Sequence, residues 1–450
     1  MAEGRLLEEG NVRRLLDRVL ASSHADQTEV LFWGTDSALT RFANNVIHQN
    51  VAERQSAVTV RSVIGKRIGV ASTNDLSVSG LKRVVERAEL IARYQVENRE
   101  FVSLPGPAPA RKANALLPNT LNFGPDRRAE VAGIICRRSG ENRLVASGAL
   151  QVNIMELAVA NSLGVFAYHS QAVADINTVI MADSGSGYAD YFALDASEIN
   201  GEAIAREAID KAVRSQEPVD LPPGEYPVIL EPYAVNDILD FLGYLGLGAT
   251  AVQEGRSFLG GHFGQPFVDP KVSLWDDGLG NGTVPMPFDF EGVPKKRVDF
   301  ITKGVAKEVC YDSYTANKEG KQSTGHALPA PNTYGPMPMN TFLAPGAATK
   351  DQMLAGIDRG IWVTRFHYTR HLHPLTVTVT GMTRDGTFLI DRGEITRPIK
   401  NLRFTQSYVD ALKEVEMIGR ETRLEGGFLA YNCVPALRLP RWNFVSATTY

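Results

Sequence analysis

Three of the eight histidines in this 450-residue chain fall within seven consecutive positions. His367, His371 and His373 are separated by four and then two residues, so all three have the same parity. On an extended strand, residues of one parity project to the same face. Neutral imidazoles are ligands for transition metals, so the spacing indicates a candidate metal site on one face of a strand.

The same segment also argues against one ion held by all three histidines. At ~3.3 Å per residue, a regular strand separates His367 from His371 by about 13 Å, so only His371 and His373 are close enough to chelate one ion. Arg365 and Arg370 add positive charge nearby, which disfavours a bound cation. A solvated or cleft-lining histidine face is the alternative interpretation.

Two carboxylates and a fourth histidine are further candidates. Asp289 and Glu291 alternate with Phe288 and Phe290, so they share one strand face where they could do acid–base chemistry or hold a hard cation. The alternation favours a simpler interpretation, an exposed or turn-anchoring pair opposite two core phenylalanines. His326 precedes a proline-rich loop and is either a cleft residue or a surface loop residue.

Proline-rich stretches indicate how the scaffold for these side chains is divided. Proline lacks a backbone donor and biases the preceding residue away from helix, so residues 104–118, 217–227 and 329–345 are predicted loops or linkers. The middle stretch predicts a domain boundary near residue 220. We expect an N-terminal α+β domain over residues 1–220 and a β-rich C-terminal domain over residues 221–450.

One pattern occurs twice in the N-terminal half. Alternating, β-branched runs over residues 51–72 lead to an amphipathic helix at 80–88. About 120 residues later, the segments 165–182 and 201–208 repeat this order. Both segments predict an antiparallel strand meander closed by a helix, through internal duplication or through chance similarity within a long α+β chain.

The C-terminal half begins with one apolar helix and continues with strands. The helix is predicted over residues 233–257, with Pro232 in its first turn, where the missing N–H does no harm. Strict alternation predicts a strand over Leu375–Thr380, followed by a turn at Gly381–Gly386 and a second strand over Thr387–Asp391. The fold class predicted for the whole chain is α+β.

Composition excludes several partners. Forty-seven basic and 51 acidic residues leave a formal charge of −4, which gives no electrostatic footprint for nucleic acid or an anionic membrane. The longest apolar run, Phe241 to Val252, is too short to span a bilayer, and no signal peptide is recognisable at the N-terminus. Three widely spaced cysteines do not form a disulfide framework, so we expect a cytoplasmic protein.

Seven segments, taken in order, resemble one known protein family. The motifs are Arg41-Phe-Ala-Asn-Asn-Val-Ile-His-Gln-Asn50, Pro227-Val-Ile-Leu-Glu-Pro232, Arg256-Ser-Phe-Leu259, Phe288-Asp-Phe-Glu-Gly-Val293, Ser323-Thr-Gly-His326, Gly381-Met-Thr-Arg-Asp-Gly-Thr-Phe-Leu-Ile390 and Gly393-Glu-Ile395. Their order and spacing resemble the TldD/PmbA (TldE) family across nearly the whole chain. The resemblance implies a two-domain α+β protein that forms dimers and acts in cytoplasmic proteolysis or peptide maturation.

In the TldD branch of that family, the resemblance implies a helix with a His-Glu-x-x-x-His motif that holds a catalytic metal together with a later cysteine. Such an ion lowers the pKa of its bound water and polarises the scissile carbonyl. Aligning that motif on Ala234 and Val235 places Pro232 and Tyr233 at the first His and the Glu, and Asp237 at the second His.

Two of these replacements, Pro232 and Tyr233, cannot perform the family chemistry. Proline has no ligand atom, and the phenol of Tyr233 is a poor base at neutral pH. Cys433 lies directly before Val434-Pro435, which does not match the placement of the family's cysteine. The resemblance is therefore closer to the PmbA/TldE branch, whose members pair with a metal-bearing TldD subunit.

We therefore expect a non-catalytic, TldE-like subunit of a metallopeptidase that acts on unfolded or small peptides. It would hold no metal itself, the zinc residing in a TldD-like partner, and it would bind extended peptide as a heterodimer or a homodimer. One alternative is an independent metal-dependent hydrolase that uses His367, His371 and His373. A third hypothesis is a peptide-binding or assembly protein without peptidase activity.

Overall fold

The computed structural model describes residues 6–427 and 430–448. Two sheets organise the chain: a six-stranded sheet formed before residue 200 and an eleven-stranded sheet formed after residue 220. The predicted α+β class is confirmed. The predicted division into two domains near residue 220 stays a prediction.

The N-terminal part contains two successive units of the same topology, each a helix, three antiparallel strands and a closing helix. The first unit consists of α1 (Glu9–Ala21), β1 (Gln27–Ala43), β2 (Val46–Ile64), β3 (Arg67–Thr73) and α2 (Val78–Tyr94). A short helix, α3 (Pro118–Leu121), follows it. The second unit consists of α4 (Pro125–Glu141), β4 (Val145–Asn161), β5 (Phe166–Met181), β6 (Ser186–Ala193) and α5 (Gly201–Arg214).

The two units join edge to edge into one antiparallel sheet, in the order β3-β2-β1-β4-β5-β6. In each unit the closing helix lies directly on a glycine of the third strand. A Cβ added at Gly69 would lie 2.1 Å from the carbonyl oxygen of Ala88, and one added at Gly187 would lie 2.1 Å from that of Ala208. Because the two glycines and their helix contacts are equivalent, the repeated sequence pattern corresponds to a repeated packing.

The C-terminal part alternates short helices with the strands of the larger sheet. Its first elements are β7 (Gly224–Leu230), α6 (Pro232–Gly246), α7 (Ala249–Gln253), β8 (Leu274–Asp276), β9 (Val298–Thr302), β10 (Val305–Ala306), α8 (Ser313–Lys318), β11 (Asn340–Leu343) and α9 (Lys350–Leu354). The remaining elements are β12 (Arg359–His373), β13 (Thr378–Asp391), β14 (Glu394–Pro398), β15 (Leu402–Ser407), α10 (Tyr408–Lys413), β16 (Met417–Gly426) and β17 (Tyr431–Ala447).

Five strands of this sheet close into a ring. Strand β17 pairs with β15, β15 with β13, β13 with β12, β12 with β7, and β7 again with β17. The interior of the ring belongs to the largest core cluster of the molecule, in which Phe404, Trp442 and Phe444 are almost fully buried. Helix α6 packs on this ring, so β7 and its neighbours fix where the helix begins.

Two sequence predictions for this part are wrong in detail. The helix predicted over 233–257 ends at Gly246 and resumes as α7, because a Cβ at Gly248 would lie 2.1 Å from the carbonyl oxygen of Pro336, so a loop crosses there. The hairpin predicted around Gly381–Gly386 is one continuous strand, β13, which pairs with β12 and β15 through those glycines. Within the described residues, no helix is long and apolar enough to cross a membrane.

Candidate functional site

A cavity of about 490 Å³ lies between the N-terminal sheet and the strands β16 and β17. The sheet contributes one wall through residues of alternate positions on β1, β4 and β5, which point to the same face. The polar members of that wall are Thr35, Ser37, Gln151, Asn153, Gln171, Asp175 and Asn177. Hydroxyl and amide groups both donate and accept hydrogen bonds, so this wall suits the backbone of an extended peptide.

The charged residues among those that line the cavity are three acids, Asp175, Asp190 and Glu425. Burial raises the pKa of all three carboxyls, that of Asp175 to about 6. The charge of Asp190 further raises the pKa of Glu425, because two carboxylates side by side disfavour full ionisation, whereas the hydrogen bond with Glu425 lowers the pKa of Asp190. The cavity is therefore an acidic site whose carboxyl groups are largely buried.

Aromatic side chains complete the lining. They are Trp33, Tyr188, Tyr191, Phe192 and Tyr431. Several are held by other rings: Phe192 lies 5.2 Å from Tyr431 between ring centroids, and Trp33 stacks on Phe290 at 5.3 Å. Stacked and tilted pairs of this kind are favourable ring arrangements and stabilise the orientation of Trp33, Phe192 and Tyr431.

Arg423, on β16, lies behind the acidic residues of the cavity. Its Nε lies 3.1 Å from Glu425, its Nη2 3.3 Å from the carboxylate of Asp190, and its Nη1 3.7 Å from Glu207. The guanidinium also stacks over the ring of Tyr233 at 4.5 Å. One guanidinium thus joins three carboxylates and one aromatic ring, a geometry that arginine's planar group permits.

Tyr233 lies in the first turn of α6, at the position that the family alignment gives to the catalytic glutamate. Its hydroxyl donates to Glu207 Oε1 at 2.9 Å, and its ring meets the ring of Tyr188 edge-on at 5.2 Å. Burial raises the pKa of the phenol far above its ordinary value, so the hydroxyl stays protonated at neutral pH. It can position a neighbour but cannot act as a base.

Helix α6 begins where its sequence predicts. Pro232 occupies the first turn, and Glu231 is the extended residue before it. The buried carboxylate of Glu231 accepts from Lys211 Nζ at 2.7 Å and from Trp362 Nε1 at 2.5 Å. Burial alone would lower the pKa of Lys211, but Glu231 and Glu207 raise it, so the ammonium stays charged.

Asp237, at the position of the second family histidine, lies one turn further along α6. Its carboxylate accepts from Thr369 Oγ1 at 2.7 Å and from Tyr408 OH at 2.5 Å. Burial raises its pKa to about 6. Both oxygens of this side chain are therefore already engaged by side chains of other elements.

The residues at the family's metal position do not fit a metal ion. Pro232 has no ligand atom, the Tyr233 hydroxyl is bound to Glu207, and both oxygens of Asp237 are hydrogen bonded. Cys433 lies on β17 as a half-buried free thiol whose pKa is raised by burial, which disfavours the thiolate that metals bind. In the part of the chain that is described, no group of three or more His, Cys, Asp or Glu is placed to hold a metal.

The three histidines on β12 are not brought together as regular alternation predicts. Register shifts against β13 occur between His367 and Arg370 and again between His371 and His373, so one-face parity is lost. The ring of His371 lies against Phe241 of α6, at 6.4 Å between centroids, while His373 is exposed at the strand end. The prediction of one histidine face is wrong because bulges leave no trace in side-chain spacing.

His326 and the pair Asp289 and Glu291 are structural. His326 is buried, its Nε2 lies 2.9 Å from Asp276 Oδ1, and burial lowers its pKa, so the ring stays neutral. The side chain of Asp289 accepts three backbone N–H groups within 3.0 Å and has a pKa raised to about 8 by burial. Neither carboxylate is exposed; Glu291 pairs with Arg61 at 3.1 Å and so links the two parts of the molecule.

Sequence reasoning did not find Asp190, Glu207, Lys211, Arg423 and Glu425. Arg423 and Glu425 do show a signal, since they alternate on one strand face. Their partners, however, lie more than 200 residues earlier in the chain. Only the docking of the two sheets brings them into one cluster.

Two protein-family models match this chain. The model of the PmbA/TldA metallopeptidase C-terminal domain matches residues 223–445, and that of the PmbA/TldA metallopeptidase domain 1 matches residues 29–92. The first match begins at β7 and includes α6, β16 and β17. The second covers most of the first N-terminal unit.

Relatives match over most of their length. A Haemophilus influenzae protein named metalloprotease TldD homolog is 22% identical over 437 residues, covering 91% of this chain and 88% of that protein. Metalloprotease PmbA of Escherichia coli O157:H7 is 25% identical over 450 residues, covering 93% and 92%. The crystal structure of TldE from Thermococcus kodakarensis has a TM-score of 0.88 at 19% identity and covers 97% of this chain and 100% of that one; this likeness concerns the fold.

Proposed function

Since the chain belongs to the PmbA/TldD/TldE family of metallopeptidase-related proteins, we propose that it is a non-catalytic, TldE-like subunit of a peptidase. The observation that supports this proposal most strongly is the state of the family's metal position. The Tyr233 hydroxyl and both Asp237 oxygens are engaged in hydrogen bonds, Pro232 has no ligand atom, and Arg423 pairs with the surrounding carboxylates.

In this proposal the cavity binds extended segments of unfolded or small peptides. Amide and hydroxyl groups on its wall hydrogen bond to peptide backbone, which every sequence shares, so binding tolerates many side chains. The hydroxyl of Tyr233, at the family's catalytic position, accepts from the backbone N–H of the lining residue Asp190 at 3.5 Å, which supports a binding surface beside that position. A subunit of this kind holds substrate, while cleavage takes place in a partner.

The partner in this proposal is a TldD-like subunit that contains zinc and the His-Glu-x-x-x-His motif. The two chains form a dimer and act in proteolysis or peptide maturation in the cytoplasm. The three free cysteines of this chain agree with a reducing compartment.

A cleavage assay tests the proposal directly. Unfolded peptide is incubated with this chain alone, with the motif-bearing relative alone, and with both together. We expect no cleavage by this chain alone and cleavage by the mixture, with activity lost when the motif of the relative is substituted. Cleavage by the isolated, purified chain that is abolished by a chelator would contradict the proposal.

The alternative of an independent hydrolase that uses His367, His371 and His373 has no geometric support. The register shifts remove the shared strand face, and within residues 6–427 and 430–448 no group of three or more His, Cys, Asp or Glu is placed to hold a metal. We therefore do not extend the proposal to catalysis by this chain.

A further inference from the structure

The cavity between the two sheets has a charge pattern that peptide-backbone binding alone does not require. Its lining contains three acids, Asp175, Asp190 and Glu425, and no Lys, Arg or His among the described lining residues. Arg423 compensates two of them from behind, through contacts of 3.3 Å with Asp190 and 3.1 Å with Glu425. Among the described residues, no such ion pair joins a cation to Asp175. It lies on β5, next to the strand β6 that contains Asp190, and its carboxylate accepts a hydrogen bond from the side chain of Gln151.

The aromatic lining has a complementary property. The faces of tryptophan and tyrosine rings attract cations, and a ring beside a carboxylate is a recurring arrangement for binding ammonium groups. Tyr188 illustrates the arrangement within the chain itself, since the guanidinium of Arg365 lies over its ring at 4.2 Å while its hydroxyl donates to Asp190 Oδ2 at 2.7 Å. Tyr431 and Phe192 form a second pair of rings in the same lining.

An organic cation fits this lining better than a metal ion. A hard metal ion needs several oxygen ligands at about 2.0–2.6 Å around one point, and the described residues contain no such group of three acids. An ammonium group makes longer hydrogen bonds to one or two carboxylates and contacts ring faces with its remaining surface. A cavity of about 490 Å³ also exceeds the volume that a bare ion occupies.

We propose that this cavity binds the primary ammonium group of an extended peptide, with Asp175 as the carboxylate that recognises it. The group comes from a lysine side chain or from the peptide's amino terminus, since both present the same chemistry. This inference rests on the proposed function, because it assigns a substrate preference to the peptide-binding cavity. It makes the cavity selective for peptides that present an ammonium group, while the contacts with peptide backbone still tolerate many other side chains.

Three pentapeptide amides distinguish the sources of the ammonium group. One is N-acetylated with a central lysine, one has a free amino terminus with a central norleucine, and one is N-acetylated with a central norleucine and has no charge. Their affinities for the full-length chain are measured by titration calorimetry at pH 7.5 and low ionic strength. We expect at least one charged peptide to bind tenfold or more tightly than the uncharged peptide, and the stronger of the two identifies the source.

A variant pair locates the interaction. Asp175→Asn removes the charge but keeps the side-chain shape, and we expect it to reduce the affinity for the charged peptide to that for the uncharged peptide. Asp220→Asn removes an exposed carboxylate outside the cavity and serves as the matched control, with unchanged affinities. The comparison of peptides on the unsubstituted chain stands even if Asp175→Asn does not fold.

Equal affinities for all three peptides would overturn the ammonium site and leave the proposed function intact. Undiminished selectivity in a folded Asp175→Asn variant would likewise overturn the assignment. If no peptide binds, the ammonium site is also refuted, while the cleavage assay with the motif-bearing relative decides separately whether this chain is a peptidase subunit.

Discussion

The two N-terminal units share one architecture and differ in their chemistry. Gly69 and Gly187 occupy equivalent positions, as do Ala88 and Ala208. In both units a Cβ added at the glycine would lie 2.1 Å from the carbonyl oxygen of the alanine. Counting from these positions, Asp190, Glu207 and Lys211 of the second unit correspond to Ser72, Arg87 and Ile91 of the first. Of the two units, the second thus supplies Asp190, Glu207 and Lys211 to the charged cluster around Tyr233, and the first has no charged counterpart of Asp190 or Lys211.

This difference shows that packing and function are specified by separate residues of the same unit. The glycine and the alanines bring the closing helix onto the strand in both units. The charged side chains of the second unit face the C-terminal part of the molecule. Asp190 pairs there with Arg423 on β16, and Lys211 pairs with Glu231, the residue before α6. Replacing residues of either class in both units tests whether this separation holds.

The largest effect is expected from the shared glycines. In Gly69→Ala or Gly187→Ala, the new methyl group overlaps a backbone oxygen that cannot move without shifting the helix, so each variant should lose more than about 3 kcal/mol of unfolding free energy. Urea unfolding measures the loss. Gly133→Ala, on α4 with no atom within 4 Å of the new methyl, is the control and should be neutral or stabilising.

If only one of the two glycine variants is destabilised, the units do not pack alike and the comparison fails. Loss in both, with a stable control, would support the repeated packing.

The second effect concerns the charges that only the second unit supplies. Arg423→Met leaves Asp190, Glu207 and Glu425 without their shared cation, and breaking a largely buried pair in this way should cost about 3 kcal/mol at pH 7. Arg87→Met, at the exposed equivalent of Glu207 in the first unit, should change stability by less than about 0.5 kcal/mol. Equal losses of unfolding free energy in the two variants would show that the ion pairs of Arg423 stabilise the fold no more than an exposed arginine does.

The third effect is a pH dependence from Asp237, which faces away from the second unit. Its folded pKa of about 6 exceeds the ordinary value of 3.8, so the folded state binds the proton more tightly. The protonated carboxyl therefore stabilises the folded state at low pH. As the pH rises from about 4 to about 6, the unsubstituted protein should lose roughly 2–3 kcal/mol of unfolding free energy, with little further change from this group at higher pH.

Asp237→Asn removes that titration and keeps an oxygen that accepts from Tyr408. The variant should be more stable than the unsubstituted protein at pH 7 and should show a flatter profile between pH 4 and pH 6, measured by urea unfolding at each pH. An unchanged profile would contradict the assignment of this pH dependence to Asp237.

The smallest effect is expected at Tyr233 itself. Tyr233→Phe keeps the ring beneath Arg423 and removes the hydroxyl that donates to Glu207, so the loss should be about 1 kcal/mol. Tyr314→Phe removes an exposed hydroxyl that donates to Glu100 and is the control, with a smaller loss. A loss of several kcal/mol at Tyr233 would mean that the hydroxyl organises more of the cluster than its one strong bond indicates.

The sequence predicted those features that depend on neighbouring residues. Alternation located β2 and β3 of the first unit and β5 of the second, and Pro232 marked the start of α6, because each is a local property. The end of α6 was missed, since Gly248 is excluded from a continuous helix by Pro336, which is distant in the chain. The family motif positions were found because their spacing lies within one helix.

The rest of the site could not be predicted, because it depends on how elements dock. The pairing of Arg423 with Asp190 joins residues more than 200 positions apart, and the histidines on β12 were misjudged because a bulge shifts register without changing composition. Asp175 has no distinguishing signal in its own strand, because its place in the cavity depends on residues of β16 and β17.

The central claim is that this chain is the metal-free member of a two-chain peptidase. Native mass measurement combined with zinc quantitation tests it most directly, on the chain alone and on the chain co-expressed with a relative that has the His-Glu-x-x-x-His motif. We predict well under one zinc per chain alone, and a complex of the two chains whose zinc disappears when the motif of the relative is substituted. One zinc per chain in the isolated protein, retained after dialysis, would contradict the claim.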